Sequence, residues 1–332
     1  MAKVGVGGTT SWGTTLAIIA AREGLDVTLW ARTEEEASEL KNSGQNYRVL
    51  PDARFPTNLK VTSSKEDTFS NADLIILAVP SSSLRSNTQA IHEFITQNTV
   101  IVSATKGLEA ASSKRMSQIL QDELPPSLHH GICALSGPNL AKEIVNGKPS
   151  STVIASSNED ASKYAQSLLT SQKFRVYTNT DIIGVEFGGA LKNVIALGAG
   201  ICDGLNYGDN AKSAFMTRGL AEITRLAVSA GADPTTLAGL AGIGDLVATC
   251  SSTLSRNHYL GEELAKGRSL TEIRSNMKHV AEGVDTTVAS LNLAQSTGIQ
   301  MPITQATYNV LFDNLPIEQA ISQLMSRPAV QE

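Results

Sequence analysis

Short apolar, β-branched runs alternate with helix-like segments through the first half of the chain. The runs are bounded by turn residues, which is typical of buried strands. They lie at residues 3–7, 27–30, 74–79, 100–103, 132–135, 152–155 and 174–177. The segments with helical spacing lie at residues 12–23, 82–96, 112–123, 139–146 and 159–169. This order of strand and helix predicts a mostly parallel sheet with helices on both faces.

After about Asp181 only segments with helical spacing remain. Clusters rich in glycine and proline separate them, as expected at helix ends. The pattern therefore predicts an α/β domain over residues 1–181 followed by an all-α domain over residues 182–332. A chain of 332 residues is also long enough for two domains.

A glycine-containing turn joins the first predicted strand to the first predicted helix. The run Gly8-Thr9-Thr10-Ser11-Trp12-Gly13 has the position of a dinucleotide-binding turn, where Gly8 allows a tight bend and Gly13 allows close packing. The helix start would then meet a pyrophosphate. Because Thr10 replaces the middle glycine of the usual motif, a simple glycine turn with a helix cap is the alternative. The alternation of strands and helices behind the turn favours the cofactor site.

Arg32 follows the second predicted strand, at the place where an acidic residue would bind the ribose 2′-hydroxyl of NAD. An arginine there can pair with the 2′-phosphate of NADP. The sequence therefore predicts that NADPH is accepted and favoured over NADH. The alternative is a solvated arginine that pairs with an acidic residue among residues 34–36.

Lys192 lies in the middle of a helix predicted over residues 184–200. Each interior glycine of this helix costs about 1 kcal/mol relative to alanine, so another element or a ligand is expected to approach closely. The residues three and four positions from Lys192 are small or apolar. The lysine either reaches out to water or is held in a cleft, where desolvation makes it a usable general acid or base. Asn193 beside it supplies an amide donor.

Two further segments place polar residues among apolar ones. Asp245 follows a glycine turn and is either a helix N-cap or a partner for the lysine ammonium. In Ser255-Arg256-Asn257, a hydroxyl able to cap a helix precedes an arginine and an amide, a combination that suits a phosphate dianion. A surface ion pair of the arginine with Glu262 or Glu263 is the alternative. On chemistry alone, a substrate carboxylate would fit as well.

Charge and composition narrow the functions further. The formal net charge of −5 argues against a nucleic-acid partner. The three cysteines show neither a disulfide framework nor metal-ligand spacing, so we expect a reducing compartment and no metal. We expect no membrane span and no export leader, and hence a cytoplasmic protein, because the apolar runs are shorter than the roughly 20 residues that a span needs. The sequence does not determine the oligomeric state, and a homodimer is one of the possibilities.

Six blocks in their order along the chain resemble the bacterial NAD(P)-dependent glycerol-3-phosphate dehydrogenase family, and the resemblance covers almost the whole chain. The blocks are Ser11-Trp12-Gly13-Thr14, Ala104-Thr105-Lys106-Gly107-Leu108-Glu109, Leu135-Ser136-Gly137-Pro138-Asn139-Leu140-Ala141-Lys142-Glu143, Gly189-Ala190-Leu191-Lys192-Asn193-Val194, Gly244-Asp245-Leu246 and Ser255-Arg256-Asn257. The resemblance implies reversible reduction of dihydroxyacetone phosphate to sn-glycerol 3-phosphate for phospholipid synthesis. It also implies a Rossmann domain, a helical domain, and NADPH or NADH as cofactor.

The resemblance further implies roles for single residues, with Lys192 as the general acid and base. The implied substrate-binding residues are Lys106, Gly137, Asn139, Lys192, Asp245, Ser255, Arg256 and Asn257. The implied cofactor-binding residues are Ser11, Trp12, Arg32, Lys106, Ala141, Arg256, Val280 and Glu282. Thr10 departs from the family's central glycine, and its hydroxyl is expected to donate to a phosphate oxygen. Asn139 stands where many relatives have threonine.

Two other functions stay open at this point. One is a related two-domain dehydrogenase that acts on a β-hydroxy acid or a sugar acid. The other is a sensor that binds the dinucleotide without turnover, for which Lys192 and Asn193 on a helix rich in glycine would serve no purpose.

Overall fold

A computed structural model describes residues 1–277 and 280–328. The chain divides into two compact units. The sheet unit comprises residues 1–106 and 114–186, and the helical unit comprises residues 107–113 and the described residues from 187 onward. The domain boundary between residues 181 and 182 stays a prediction.

One sheet organises the sheet unit, and its strand order is β3-β2-β1-β4-β5-β6-β7-β8 within the described residues. The strands are β1 (Lys3–Gly7), β2 (Asp26–Trp30), β3 (Leu59–Thr62), β4 (Leu74–Leu77), β5 (Val100–Ser103), β6 (Ile132–Ser136), β7 (Ser150–Ala155) and β8 (Phe174–Asn179). Strands β1 to β6 are parallel, β7 is antiparallel to β6, and β8 is parallel to β7. The predicted mostly parallel sheet is confirmed.

Helices cover both faces of this sheet. They are α1 (Ser11–Arg22), α2 (Glu34–Ser43), α3 (Lys65–Phe69), α4 (Leu84–Ile91), α5 (Met116–Glu123), α6 (Ala141–Val145) and α7 (Glu159–Leu169). Side chains alternate across a strand, so Leu74 and Ile76 join an apolar cluster with α1, α6 and α7. Ile75 and Leu77 join a second cluster with α3, α4 and α5. Burial on both faces explains why the strands read as continuous apolar runs.

The sequence pattern misses strand β3. It has four residues at the sheet edge, it pairs in parallel with β2, and only Leu59 is buried. A short, half-exposed edge strand produces no buried run, which is the signal that marked the other strands.

The helical unit contains no strand within its described residues, in agreement with the prediction. Its helices are α8 (Ile182–Gly204, which begins in the sheet unit), α9 (Gly208–Ser229), α10 (Pro234–Leu237), α11 (Asp245–Ser251), α12 (Arg256–Ala265), α13 (Leu270–Asn276), α14 (Glu282–Thr297), α15 (Pro302–Phe312) and α16 (Ile317–Met325). A π-helical turn over Leu240–Gly244 leads into α11.

Glycines of α8 allow other backbone segments to approach it closely. A Cβ at Gly200 would lie 2.0 Å from the His258 carbonyl oxygen of α12, and a Cβ at Gly188 would lie 2.3 Å from the Ala241 carbonyl oxygen. Conversely, a Cβ at Gly261 of α12 would lie 2.0 Å from the Leu197 carbonyl oxygen of α8. The close approach expected from these helix glycines is confirmed.

Helix α8 is longer than the apolar run seen in the sequence, and by length and composition it could cross a membrane. However, 89% of its most apolar stretch is buried inside the protein. Residues 234–251 and α12 meet at a bend of 48°. They would be long and apolar enough to cross a membrane only if they were counted as one segment. Core helices commonly meet such a test, so α8 is a buried core element of the helical unit.

Candidate active site

The Lys192 ammonium lies inside the helical unit and does not reach out to water. The residue is 7% exposed, and its Nζ donates hydrogen bonds to Asp245 Oδ1 and, at 2.6 Å, to Thr249 Oγ1. Asp245 is 1% exposed. Because Gly244 is the N-cap of α11, the alternative interpretation of Asp245 as a helix N-cap is wrong. The aspartate carboxylate instead partners a buried cation.

Thr249 is a member of this group that the sequence reasoning missed. It lies four residues after Asp245 on α11, so the two side chains share one helix face. Its hydroxyl accepts from Lys192 and is 3.4 Å from Asp245 Oδ1. The spacing of Asp245 and Thr249 in a predicted helix was the only available signal.

Two asparagines connect three helices of the same unit. Asn257 Nδ2 donates to Asn193 Oδ1 over 2.9 Å, and the Gly283 amide donates to Asn257 Oδ1 over 3.0 Å. A Cβ at Gly283 would lie 2.5 Å from the Asn193 carbonyl oxygen, so α14 can approach α8 only through a glycine. Within the described residues, the Asn193 side-chain N–H groups have no acceptor, which leaves an amide donor on the residue that follows Lys192.

Arg256 begins α12 directly after the residue that caps this helix. Ser255 Oγ accepts from the His258 amide over 3.2 Å. The arginine side chain is exposed and forms no ion pair within the described residues. Glu263, one of its two expected alternative partners, pairs with Lys266 and Arg268. Desolvation by the surrounding protein lowers the pKa of Arg256, and the negative charge of Glu282 opposes this shift. Since an arginine stays protonated in either case, the guanidinium is available to an anion.

The glycine-containing turn has the geometry that its position in the sequence predicts. Gly8 has a φ of +116°, and a Cβ there would lie 2.6 Å from the Ala78 carbonyl oxygen. A Cβ at Gly13 would lie 2.1 Å from the Gly8 carbonyl oxygen. Both positions therefore require glycine.

Thr10 uses its hydroxyl within the protein. As the N-cap of α1, its Oγ1 accepts from the Gly13 amide over 3.0 Å, and it donates to the Ala78 carbonyl oxygen over 2.7 Å. A hydroxyl has one proton, so the expectation that Thr10 donates to a phosphate oxygen is wrong.

The start of α1 fits an anionic dinucleotide. No acidic residue lies in its first turn, and the amides of Ser11 and Trp12 are at the open helix start, where the helix dipole favours negative charge. Trp12 Nε1 is a buried donor without a partner in the described part of the chain. These unsatisfied donors are what a pyrophosphate-bearing cofactor needs.

Three of the expected substrate residues lie together in the sheet unit. Lys106 Nζ donates to the Gly137 carbonyl oxygen over 2.9 Å. Asn139 Oδ1 accepts from Thr152 Oγ1 over 2.9 Å, at the start of the segment that leads into α6 at Ala141. The group lies beyond the carboxyl end of β6, the edge where ligands bind in open α/β sheets.

The remaining expected cofactor residues are exposed or half-buried. The Arg32 side chain has no partner in the described residues, so the expected alternative pair with an acid among residues 34–36 does not form. In the helical unit, Val280 is 42% exposed and Glu282 lies in the first turn of α14. No cluster of potential metal ligands occurs among the described residues.

Comparison with known proteins matches both parts of the chain to one protein family. The profile of the NAD-dependent glycerol-3-phosphate dehydrogenase N-terminus matches residues 3–162, and that of the C-terminus matches residues 181–322. Glycerol-3-phosphate dehydrogenase [NAD(P)+] of Dehalococcoides mccartyi is 51% identical over 100% of this chain and 93% of the relative. The enzyme of that name from Chlorobium limicola is 48% identical over 99% of each chain. A crystal structure of glycerol-3-phosphate dehydrogenase from Coxiella burnetii superposes with a TM-score of 0.93 at 36% identity, over 98% of this chain and 99% of that one.

Proposed function

The chain belongs to the NAD-dependent glycerol-3-phosphate dehydrogenase family, and we propose that it catalyses the reversible reduction of dihydroxyacetone phosphate to sn-glycerol 3-phosphate with NADPH or NADH. The observation that carries the proposal is the Lys192 ammonium, which is buried between Asp245 and Thr249. The family expected from the six sequence blocks is confirmed.

Lys192 would act as the general acid and base. A bound reduced nicotinamide supplies a hydride to the carbonyl carbon. The ammonium has three N–H bonds, of which two are directed at Asp245 and Thr249, so the third is free for the substrate oxygen. As that oxygen gains negative charge, Lys192 gives it a proton, and the product is an alcohol. In the reverse direction, the neutral amine takes the alcohol proton.

Asp245 and Thr249 would position this lysine. The buried carboxylate accepts one N–H of the ammonium and so holds the lysine side chain in place. The threonine hydroxyl accepts a second N–H and so fixes the direction of the third. The unpartnered Asn193 amide, on the residue that follows Lys192, would supply a further donor to the substrate.

Arg256 and Asn257 would bind the substrate phosphate. A guanidinium without an ion pair can offer two parallel N–H bonds to phosphate oxygens. Ser255 fixes the start of the helix that carries them. In the sheet unit, we assign Lys106, Gly137 and Asn139 to the substrate as well.

For the cofactor, we assign the start of α1 and Arg32 in the sheet unit. The amides of Ser11 and Trp12 would bind the pyrophosphate, and the free Arg32 guanidinium would accept a 2′-phosphate, which favours NADPH. The remaining cofactor residues are Lys106, Ala141, Arg256, Val280 and Glu282.

The test is oxidation of NADPH or NADH with dihydroxyacetone phosphate, followed by absorbance. We expect Lys192→Met to lower kcat by about 10²- to 10⁴-fold, the contribution of a positioned acid or base. The matched control is Lys163→Met, at an exposed lysine of α7. Arg256→Ala should mainly raise KM for the phosphorylated substrate. Turnover of Lys192→Met at the wild-type rate would remove the lysine from its role.

The same assays decide between this proposal and its alternatives. A dehydrogenase for β-hydroxy or sugar acids would oxidise those acids faster than sn-glycerol 3-phosphate. A sensor would bind dinucleotide with no turnover of any substrate, and Lys192→Met would leave its biological effect intact.

We also propose that the enzyme works in the cytoplasm and supplies sn-glycerol 3-phosphate for phospholipid synthesis. Among the described residues, the one single helix that is both long and apolar enough to cross a membrane, α8, is mostly buried, which supports this location. Cell fractionation tests it, and recovery of the protein with membranes would contradict it. A homodimer stays a prediction.

A further inference from the structure

We propose that Glu36 opposes Arg32 in the choice between NADPH and NADH, an inference that rests on the proposed function. Glu36 connects two segments of the sheet unit. Its Oε1 accepts from Thr9 Oγ1 over 2.6 Å, and its Oε2 accepts from the Arg32 amide over 3.1 Å. The Glu36 carboxylate therefore contacts both the glycine-containing turn and Arg32, the residue expected to bind the 2′-phosphate of the adenosine ribose.

The sheet register explains why one side chain can reach both segments. Gly7 of β1 lies opposite Trp30 of β2 in a parallel pair. Thr9 and Arg32 each come two residues after this pair, so they leave neighbouring strands at the same end. The first turn of α2 carries Glu36 back to that end, where its carboxylate lies between them.

This end of the sheet is where a dinucleotide fold reads the adenosine ribose. An acidic side chain there accepts a hydrogen bond from the 2′-hydroxyl, whereas an arginine there accommodates the 2′-phosphate. In this chain both groups are present, because the Arg32 guanidinium is free and the Glu36 carboxylate lies against the Arg32 backbone. The carboxylate repels a 2′-phosphate and the guanidinium attracts it, so the two side chains act in opposite directions. Their balance admits both cofactors.

The neighbouring acids of α2 have other contacts. Glu34 accepts a hydrogen bond from Ser63 Oγ. Glu35 is exposed, and hydrogen bonds with its own backbone amide and with Thr33 lower its pKa. Glu35 therefore offers a matched control, since its removal changes the net charge of the same helix turn without touching Thr9 or the Arg32 amide.

The test measures binding of NADPH and NADH by quenching of tryptophan fluorescence, with no substrate present. Glu36→Gln keeps the shape and an oxygen acceptor for Thr9. We expect it to raise the ratio of NADPH to NADH affinity by about tenfold at low salt, and Arg32→Gln to lower that ratio by a similar factor. Glu35→Gln should leave the ratio within about twofold of wild type, because exposed charges are screened.

Two results distinguish repulsion between the Glu36 carboxylate and the 2′-phosphate from a purely structural role of Glu36. If Glu36 only held the turn in place, Glu36→Gln would weaken both cofactors equally and the ratio would not change, and this result would overturn the inference. The shift in the ratio should also shrink as salt rises toward 1 M, where the Debye length is about 3 Å. A shift of equal size in Glu35→Gln would overturn it as well.

Failure of the proposed function has a different signature. It would show as wild-type protein that binds dinucleotide but does not turn over dihydroxyacetone phosphate. The affinity ratio is measured without substrate, so it tests Glu36 independently of that result.

Discussion

The buried pair of Lys192 and Asp245 allows a prediction in which stability can be worked from the structure. Asp245→Asn keeps the shape of the side chain but removes the charge that faces the ammonium. The two residues are 7% and 1% exposed, so water cannot take over the lost interaction. Removal of one partner from a buried ion pair costs about 3–5 kcal/mol, because an uncompensated charge stays behind.

This cost converts into a measurable shift of the unfolding temperature. A change of 1 kcal/mol shifts Tm by roughly 2–4 °C for a domain of about 150–250 residues. We therefore expect Asp245→Asn to lower the Tm of the helical unit by roughly 6–20 °C. The double variant Lys192→Met with Asp245→Leu should recover most of this loss, since apolar residues of similar volume can replace a buried pair without cost.

Thermal unfolding followed by circular dichroism measures both effects. The control is Glu159→Gln, which breaks an exposed pair with Lys163 four residues later on α7. Such a pair contributes about 0.3–0.5 kcal/mol, so its Tm should fall by no more than about 2 °C. If Asp245→Asn shifted Tm no more than Glu159→Gln, the Lys192 ammonium would be hydrated and the argument from burial would be refuted.

Three further predictions concern single contacts. Thr10→Ala should destabilise the protein by about 0.5–2 kcal/mol in thermal unfolding because it removes the cap of α1, whereas Thr10→Ser should stay near wild type; equal stability of the two variants would contradict the cap. Gly283→Ala should lower kcat/KM, since its Cβ would lie 2.5 Å from the Asn193 carbonyl oxygen, and an unchanged kcat/KM would show that α14 can shift freely. Burial raises the pKa of Glu222, so its protonated form stabilises the fold below its ordinary pKa and this contribution is lost as pH rises through the higher folded value. The Tm of wild type minus that of Glu222→Gln should therefore fall with rising pH, and a difference that grows would refute the sign.

The sequence predicts most of the fold because burial leaves a clear pattern. Strands covered on both faces appear as apolar runs, and the helical spacing of the segments after Asp181 predicts an all-helical region that includes most of α8. The edge strand β3 escapes because only Leu59 of its four residues is buried. The prediction of helix α8 in spite of its interior glycines is correct. These glycines allow the backbone of neighbouring segments to approach the helix closely.

The site is predictable only in part. Motifs identify Lys192 and Asp245, but they do not say that the two meet, since a contact between residues 53 positions apart depends on the packing of α8 against α11. Thr249 carried a signal only through its spacing from Asp245. Sequence also could not show that the Thr10 hydroxyl bonds to Ala78, because that bond depends on where β4 ends beside the turn.

Gly200 of α8 and Gly261 of α12 each leave room for the backbone of the other helix, so the two helices pack at a short, fixed distance. Helix α8 carries Lys192 and helix α12 carries Arg256. Because Lys192 and Arg256 are the residues proposed to protonate the substrate and to bind its phosphate, this close approach would set the length of molecule that fits between them. We expect substrate size to be adjustable from these two backbone positions, which a search restricted to ligand-facing side chains would overlook.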